Sequence, residues 1–332
     1  MASSGTSAFR EQGRYALALA CLALWLPAAV LAQEPAQTPA PQTPNFQAET
    51  HLVTLTFSAR DAEGHFVNRL GRDDFSIYED GAPQKVNLFS RESELPLTLG
   101  LLVDASPSQE KFLQQHLRDI QTFLGSILRP QDQAFAVCFG DHLRLVSDLS
   151  ADPAAIADGL AKFDKGSRSF PELAPDDTRD GGSAIYDAVV ASIQEKLAKS
   201  PRNRRALILF TDGEENSSAH DEIDAIAAAQ GADTLLYAVR YTEIKHHKLS
   251  ASNRHGTIAL HHMAEQTGGR DFDALHTDLP QTFRQIEEEL RMVYSIGYYS
   301  TNTARDNTFR KIVVEPRAEG ITIRAKYGYF AR

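Results

Sequence analysis

The chain has 332 residues, a formal charge of −10 and only two cysteines, which leaves room for two or three compact units with a substantial core. Its acidic balance, with no long basic block to offset it, argues against a nucleic-acid partner. So few cysteines exclude a disulfide framework.

Arg10 and Arg14 precede an apolar, Ala/Leu-rich run from Ala16 to Leu31, and Val30-Leu31-Ala32 supplies small or aliphatic residues before Gln33. This pattern predicts a secretory signal peptide over 1–32. The run is short for a full span, so no membrane span is expected after cleavage, with an uncleaved anchor as the alternative. Ala18-Leu19-Ala20 before Cys21 is a poor match to a lipoprotein signal. Cys138 is then the one cysteine of the mature chain, and export without a disulfide fits a bacterial periplasmic or secreted protein held by its own core. Residues 33–45 carry Pro35, Pro39, Pro41 and Pro44 among Gln, Thr and Ala, the composition of an extended linker.

From Phe46 the pattern is strand-like, with runs at Leu52–Phe57, Phe66-Val67, Phe75–Tyr78 and Val86–Phe89 separated by turn signals. Residues 46–93 therefore read as a small β unit. Tyr78-Glu79-Asp80-Gly81 is expected to be a hairpin turn rather than an acidic ion site.

Leu97, Leu99, Leu101, Leu102 and Val103 then form a near-continuous apolar run, as in a strand buried on both faces. The run stops at Asp104, Ser106 and Ser108, and a helical pattern follows from Phe112 to Leu128. Further strands are expected at 134–139, 143–146, 205–210 and 235–239, the second pairing antiparallel at an edge. Helices are expected from Pro153 to Phe163 with Asp152 as cap, and over 184–199, 223–230, 257–267 and 279–293. Strands alternating with helices predict an α/β, doubly wound and mostly parallel sheet over 94–293. Residues 164–182 are polar and without periodicity, as in a functional or mobile loop. Residues 294–332 return to β pattern at 294–299, 309–314 and 321–329, too few strands to close a core alone. This C-terminal segment is expected to pack with the 46–93 unit.

Ligands of open α/β sheets bind at the carboxyl ends of the strands. Three such places carry oxygen: Asp104, Ser106 and Ser108 after the first strand, Ser183 after the long loop, and Asp212 after the strand at 205–210. Two carboxylates with hydroxyls suit a hard cation, Mg²⁺, Mn²⁺ or Ca²⁺, better than zinc. The motifs Asp104-Ala105-Ser106-Pro107-Ser108, Gly182-Ser183 and Phe210-Thr211-Asp212-Gly213 resemble the metal-ion-dependent adhesion site of von Willebrand factor type A domains. The stretches Phe75–Gly81, Gly181–Ala188, Thr211–Ser218, Gly297-Tyr298-Tyr299 and Tyr327-Gly328-Tyr329 resemble bacterial exported proteins of the VWFA-related type. The resemblance implies that Ser106 and Ser108 ligate the metal directly, Asp104 largely through water, and Asp212 directly or through water. Ser183 stands where the family usually has Thr, and loses the methyl that restricts χ1. Pro107 stands where a small flexible residue is commoner, stiffening the loop and removing one N–H.

The function expected on this basis is non-enzymatic: an exported, divalent-metal-dependent adhesion module whose cation bridges to a carboxylate on a protein partner. Two alternatives stand beside it, an exported hydrolase with Glu214 or Glu215 as base, and an envelope scaffold with a purely structural ion. His246-His247, His255 and His261-His262 lack the spacing of a metalloprotease and read as surface or packing residues. Glu287, Glu288 and Glu289 read as a solvated helix face, and Cys138 as a core residue. No glycine loop for a dinucleotide follows Asp104.

Overall fold

The computed structural model describes residues 52–93, 95–173, 182–201, 204–242 and 249–331. The expected signal peptide and linker lie outside these residues. The first strands are β1 (Leu52–Arg60), β2 (Phe75–Glu79), β3 (Ala82–Gln84) and β4 (Val86–Glu92). The apolar run becomes β5 (Leu97–Asp104), followed by α1 (Leu113–Ile127), β6 (Gln133–Phe139), β7 (Arg144–Ser150) and α2 (Pro153–Asp164). Next come α3 (Ile185–Ser192), β8 (Arg204–Thr211), α4 (Glu222–Gly231), β9 (Thr234–Arg240), α5 (Ala251–Thr267), β10 (Asp271–Asp273) and α6 (Leu279–Arg291). The chain then runs through β11 (Val293–Tyr299), β12 (Phe309–Pro316), β13 (Thr322–Ala325) and β14 (Gly328–Phe330).

A six-stranded sheet of order β10-β9-β8-β5-β6-β7 forms the centre. β5 lies between β6 and β8, parallel to both, and only β7 runs antiparallel, at the edge. Every residue of β5 is buried because helices cover both faces. Leu97, Leu99, Leu101 and Val103 point to the side where Ile120, Phe123 and Leu124 of α1 and Phe283, Ile286 and Leu290 of α6 pack. Leu102 points to the opposite side, with Val189 of α3, Ala225 of α4 and Met263 of α5. The helix starts are set by side-chain caps: Asp152 accepts from Ala154 N at 2.9 Å, and Asp221 and Asp224 cap reciprocally. α5 begins six residues before Thr257, because Ser250 accepts from Asn253 N at 2.9 Å. Its first turns present exposed Arg254 and His255, so they carry no apolar period for the sequence to reveal. α3 ends in a π-helical turn at Ile193–Leu197.

The outer strands of the chain interleave. β11, reached after α6, inserts between β1 and β4 in a sheet of order β13-β1-β11-β4, and β12 joins β2 in a second, β14-β12-β2-β3. The two sheets enclose Val53, Leu55, Phe57, Phe75, Ile77, Tyr294, Ile296, Tyr298 and Ile312, with Phe57 and Phe75 edge to face at 4.9 Å. N- and C-terminal strands thus share one core. Asp80 and Gly81 both have positive φ in the two-residue turn joining β2 to β3, as a type I′ hairpin requires. Glu79 before it is buried, and its carboxylate accepts from the hydroxyls of Tyr298 at 2.8 Å and Tyr329 at 3.0 Å.

Three expectations about strands and loops differ from the structure. Phe66-Val67 forms no strand; Phe66 makes one bridge to Arg60, since two apolar residues are too few to extend a ladder. The 321–329 run divides at Lys326-Tyr327, because β13 pairs with β1 while β14 pairs with β12. Part of the 164–182 loop is ordered onto the sheet edge: Leu145 N donates to Pro171 O at 2.9 Å and Leu173 N to Leu143 O at 2.8 Å.

The face of β1 opposite its apolar core is polar and meets the α/β layer. Arg60 reaches Glu289 of α6 at 2.9 Å, and Glu289 also accepts from Tyr237 of β9 at 3.0 Å and from Arg270 at 3.4 Å. Glu289, expected on a solvated face, is therefore buried at this seam, paired as a buried carboxylate must be.

Candidate metal centre

The parallel register Val103↔Phe210 puts Asp104 beside Thr211 at the carboxyl ends of β5 and β8. Asp104 is fully buried, and its Oδ2 accepts from Thr211 Oγ1 at 2.5 Å and from Ser183 Oγ at 3.3 Å. Its Oδ1 accepts from Ser106 N at 2.9 Å. Ser106 and Ser108 lie next to each other, Oγ to Oγ 3.2 Å, with Ser106 buried and Ser108 exposed. Four of the five expected residues are therefore linked by direct contacts, Asp104 to Ser106 and Ser183, and Ser106 to Ser108. Asp212 is buried one residue beyond Thr211, where Oδ1 accepts from Glu214 N at 3.0 Å.

Burial pushes the Asp104 carboxyl up to about 6, against hydrogen bonds from Ser106 and Thr211, and the charge on Asp212 pushes the same way. Among the described residues, no Lys, Arg or His forms an ion pair with either carboxylate. Two buried acids and three hydroxyls without a counter-charge form a donor set that fits a hard divalent cation. Among the described residues, no group of three or more His, Cys, Asp or Glu is placed to hold a metal, so a cation here would depend on the serine hydroxyls.

Two backbone approaches fix the loops. Gly182 has φ +144°, and a Cβ there would lie 1.9 Å from Asn216 Oδ1. That oxygen accepts from Ser183 N at 2.9 Å, and Asn216 N returns a bond to Ser183 O at 3.2 Å. Gly182 N also donates to Asp141 Oδ1 at 2.8 Å. Gly213, at φ +84°, packs against Gly256 of α5 so closely that a Cβ on either would come within 2.7 Å of the other's backbone. The Asp212 loop is thereby seated on a helix, not left to solvent.

Thr211, Asn216, Asp141 and Glu215 support the site without having been singled out as its residues. Thr211 stands inside the quoted motif, and its signal was strand register: it ends the strand next to the one that ends in Asp104. Glu215, weighed above as a hydrolase base, is engaged by the backbone. Its carboxylate accepts from Ile185 N at 2.6 Å, Ser217 N at 2.9 Å and Ser218 N at 2.8 Å, holding the start of α3. Glu214 accepts from Asn253 Nδ2 at 3.0 Å. A cleft of about 780 Å³ opens beside the cluster, lined by Pro107, Ser108, Phe112, Asp212, Glu214 and Asn253 among others. Residues 174–181 and 243–248, with His246 and His247, lie outside the described residues. His261 and His262 are exposed and pair separately, with Asp271 and Glu222. Cys138 is buried, and burial pushes its thiol well up.

A parallel sheet with an antiparallel edge, helices on both faces and an oxygen cluster at the carboxyl end of its central strand make up a doubly wound α/β fold of the kind the von Willebrand A resemblance implies. No protein-family model matches the chain, and no curated protein matches its sequence. Solved structures do. The chain is similar to BatB from Bacteroides thetaiotaomicron at 15% identity, over 58% of this chain and 97% of that one, with a TM-score of 0.44. A von Willebrand factor type A protein from Catenulispora acidiphila is 12% identical over 84% and 73%, with a TM-score of 0.43. Proximal thread matrix protein 1 from the mussel byssus, solved with a zinc-occupied MIDAS motif, is 14% identical over 64% and 50%, with a TM-score of 0.46. At these levels the similarity concerns fold and assigns no residue. Among the described residues, no helix is long and apolar enough to cross a membrane.

Proposed function

We propose that the chain is an exported, non-enzymatic binding module in which Asp104, Ser106, Ser108, Ser183 and Asp212 hold Mg²⁺, or Mn²⁺ or Ca²⁺ in its place. The observation that carries this reading is the buried Asp104 carboxylate, which shares hydroxyls from two other chain segments and has no cationic partner among the described residues. The two carboxylates would balance the charge of a divalent cation, and with only hydroxyls to fill the rest of its shell a coordination position facing the cleft would be open to an acidic side chain of a protein partner. The chain's own residues do the rest. Asn216 and Asp141 hold the Ser183 segment, Gly213 and Gly256 seat the Asp212 loop, and Thr211 orients Asp104.

The hydrolase alternative needs a base near the cation. Glu215 is occupied by backbone donors at the head of α3, which weighs against it; Glu214 lines the cleft, accepts from Asn253 and is the other base the sequence offered. A pull-down from envelope extract with and without chelator tests the proposal. A partner retained in Mg²⁺ and lost in EDTA supports it, whereas equal retention leaves the scaffold reading. Turnover in a hydrolase screen with Mg²⁺ or Mn²⁺, lost in Glu214→Gln, would favour the enzyme.

A further inference from the structure

At the opposite end of the sheet, Arg204 opens β8 with 7% of its surface exposed. Its Nε has no hydrogen-bond partner, and among the described residues its guanidinium makes no ion pair. Buried charges are normally paired, because taking an ion out of water costs several kcal/mol. Arg204 lines a small cavity of about 20 Å³ together with Thr56, Arg324 and Lys326 from the β unit and Asp233, Thr234 and Gly268 from the α/β layer. The register Ser58↔Arg324 puts Arg324 on the same face of its sheet as Thr56, toward that layer. Three cationic side chains thus meet one lining carboxylate, Asp233, which is already paired with Lys326, while Glu289 and Glu92 act on Arg204 from outside the cavity. Arg324 spends one N–H on Gly269 O at 2.9 Å. The hydroxyls of Thr234 and Thr267 are turned to backbone carbonyls.

We infer that this cavity is a binding site for a small monatomic anion of the chloride class, held by Arg204 and Arg324 and bridging the β unit to the amino-terminal edge of the sheet. The excess of positive charge sets the sign of the ligand. The space between the side chains admits a particle about the size of one water, which needs about 10–15 Å³. Only an acceptor satisfies the unpartnered Nε. The site is independent of the metal centre, which lies at the other end of the strands.

The test is thermal unfolding of the full chain in EDTA at constant ionic strength, with gluconate replaced stepwise by chloride or bromide. The melting temperature should rise saturably with either halide, by mass action on the folded state. Arg324→Gln, at a partly exposed position, should shift the half-saturating halide concentration upward at least tenfold; Arg204→Gln should abolish the response if it folds. Bromide-soaked crystals should show an anomalous peak between Arg204 and Arg324. Identical melting in gluconate and halide would overturn the inference, as would an unchanged response in Arg324→Gln. A rise with sulfate or phosphate and none with halide would contradict the monatomic ligand.

Discussion

His116 on α1 is fully buried against Tyr241, ring centroids 4.3 Å apart, and neither ring nitrogen has a hydrogen-bond partner. Burial lowers its pKa to about 3, so between about pH 3 and 6.5 the unfolded chain takes up a proton that the folded chain does not. Stability contributed by the neutral ring is complete above pH 6.5 and falls as the pH drops through that window, by up to about 1.4 kcal/mol per pH unit. Urea unfolding of wild type and His116→Phe should diverge on acidification, the wild type losing more; parallel curves would mean that His116 finds a partner. Gly182 is the second residue of consequence. At φ +144°, with Asn216 Oδ1 where a Cβ would go, Gly182→Ala should cost about 1–3 kcal/mol by urea titration. It should weaken Mg²⁺ binding as well, because the displaced Asn216 also holds Ser183 N.

Glu215 matters at the scale of an element. Four backbone N–H groups converge on its carboxylate, those of Ile185 and Tyr186 being at the start of α3, and hydrogen bonds to charged groups contribute about 1.5–3 kcal/mol each. Glu215→Ala should lower stability by about 2–4 kcal/mol and expose the 182–190 region to hydrogen exchange; unchanged exchange there would refute a capping role. The elements also show what a sequence can and cannot reveal. β5, β6, β8 and β9 were legible because strands covered on both faces are apolar throughout. The site's position followed from where β5 and β8 end, since Asp104 and Asp212 break those runs. Thr211 and Asn216 were not legible, because their roles depend on strand register and on a loop returning to the Ser183 segment. The first turns of α5 escaped because they are polar, and Glu289 was misread because a buried carboxylate in an acidic run looks solvated until Arg60, Tyr237 and Arg270 close around it.

For the whole molecule, interleaving is the governing feature. β11 is the middle partner of both β1 and β4, and β12 pairs with β2, so the N-terminal strands cannot close their core without the C-terminal ones. A chain ending at Met292 should lose protection of 52–92 against limited proteolysis while the central sheet persists; a protected 52–92 fragment would show that it folds alone. The central claim is that a divalent cation is held by oxygens from three separate segments. Titration calorimetry of Mg²⁺ into the chelator-stripped chain and into Asp104→Ala tests it most directly. Saturable one-site binding in the wild type, absent from a variant with an unchanged far-ultraviolet circular dichroism spectrum, is the expected result; equal affinity in the two proteins would contradict the account.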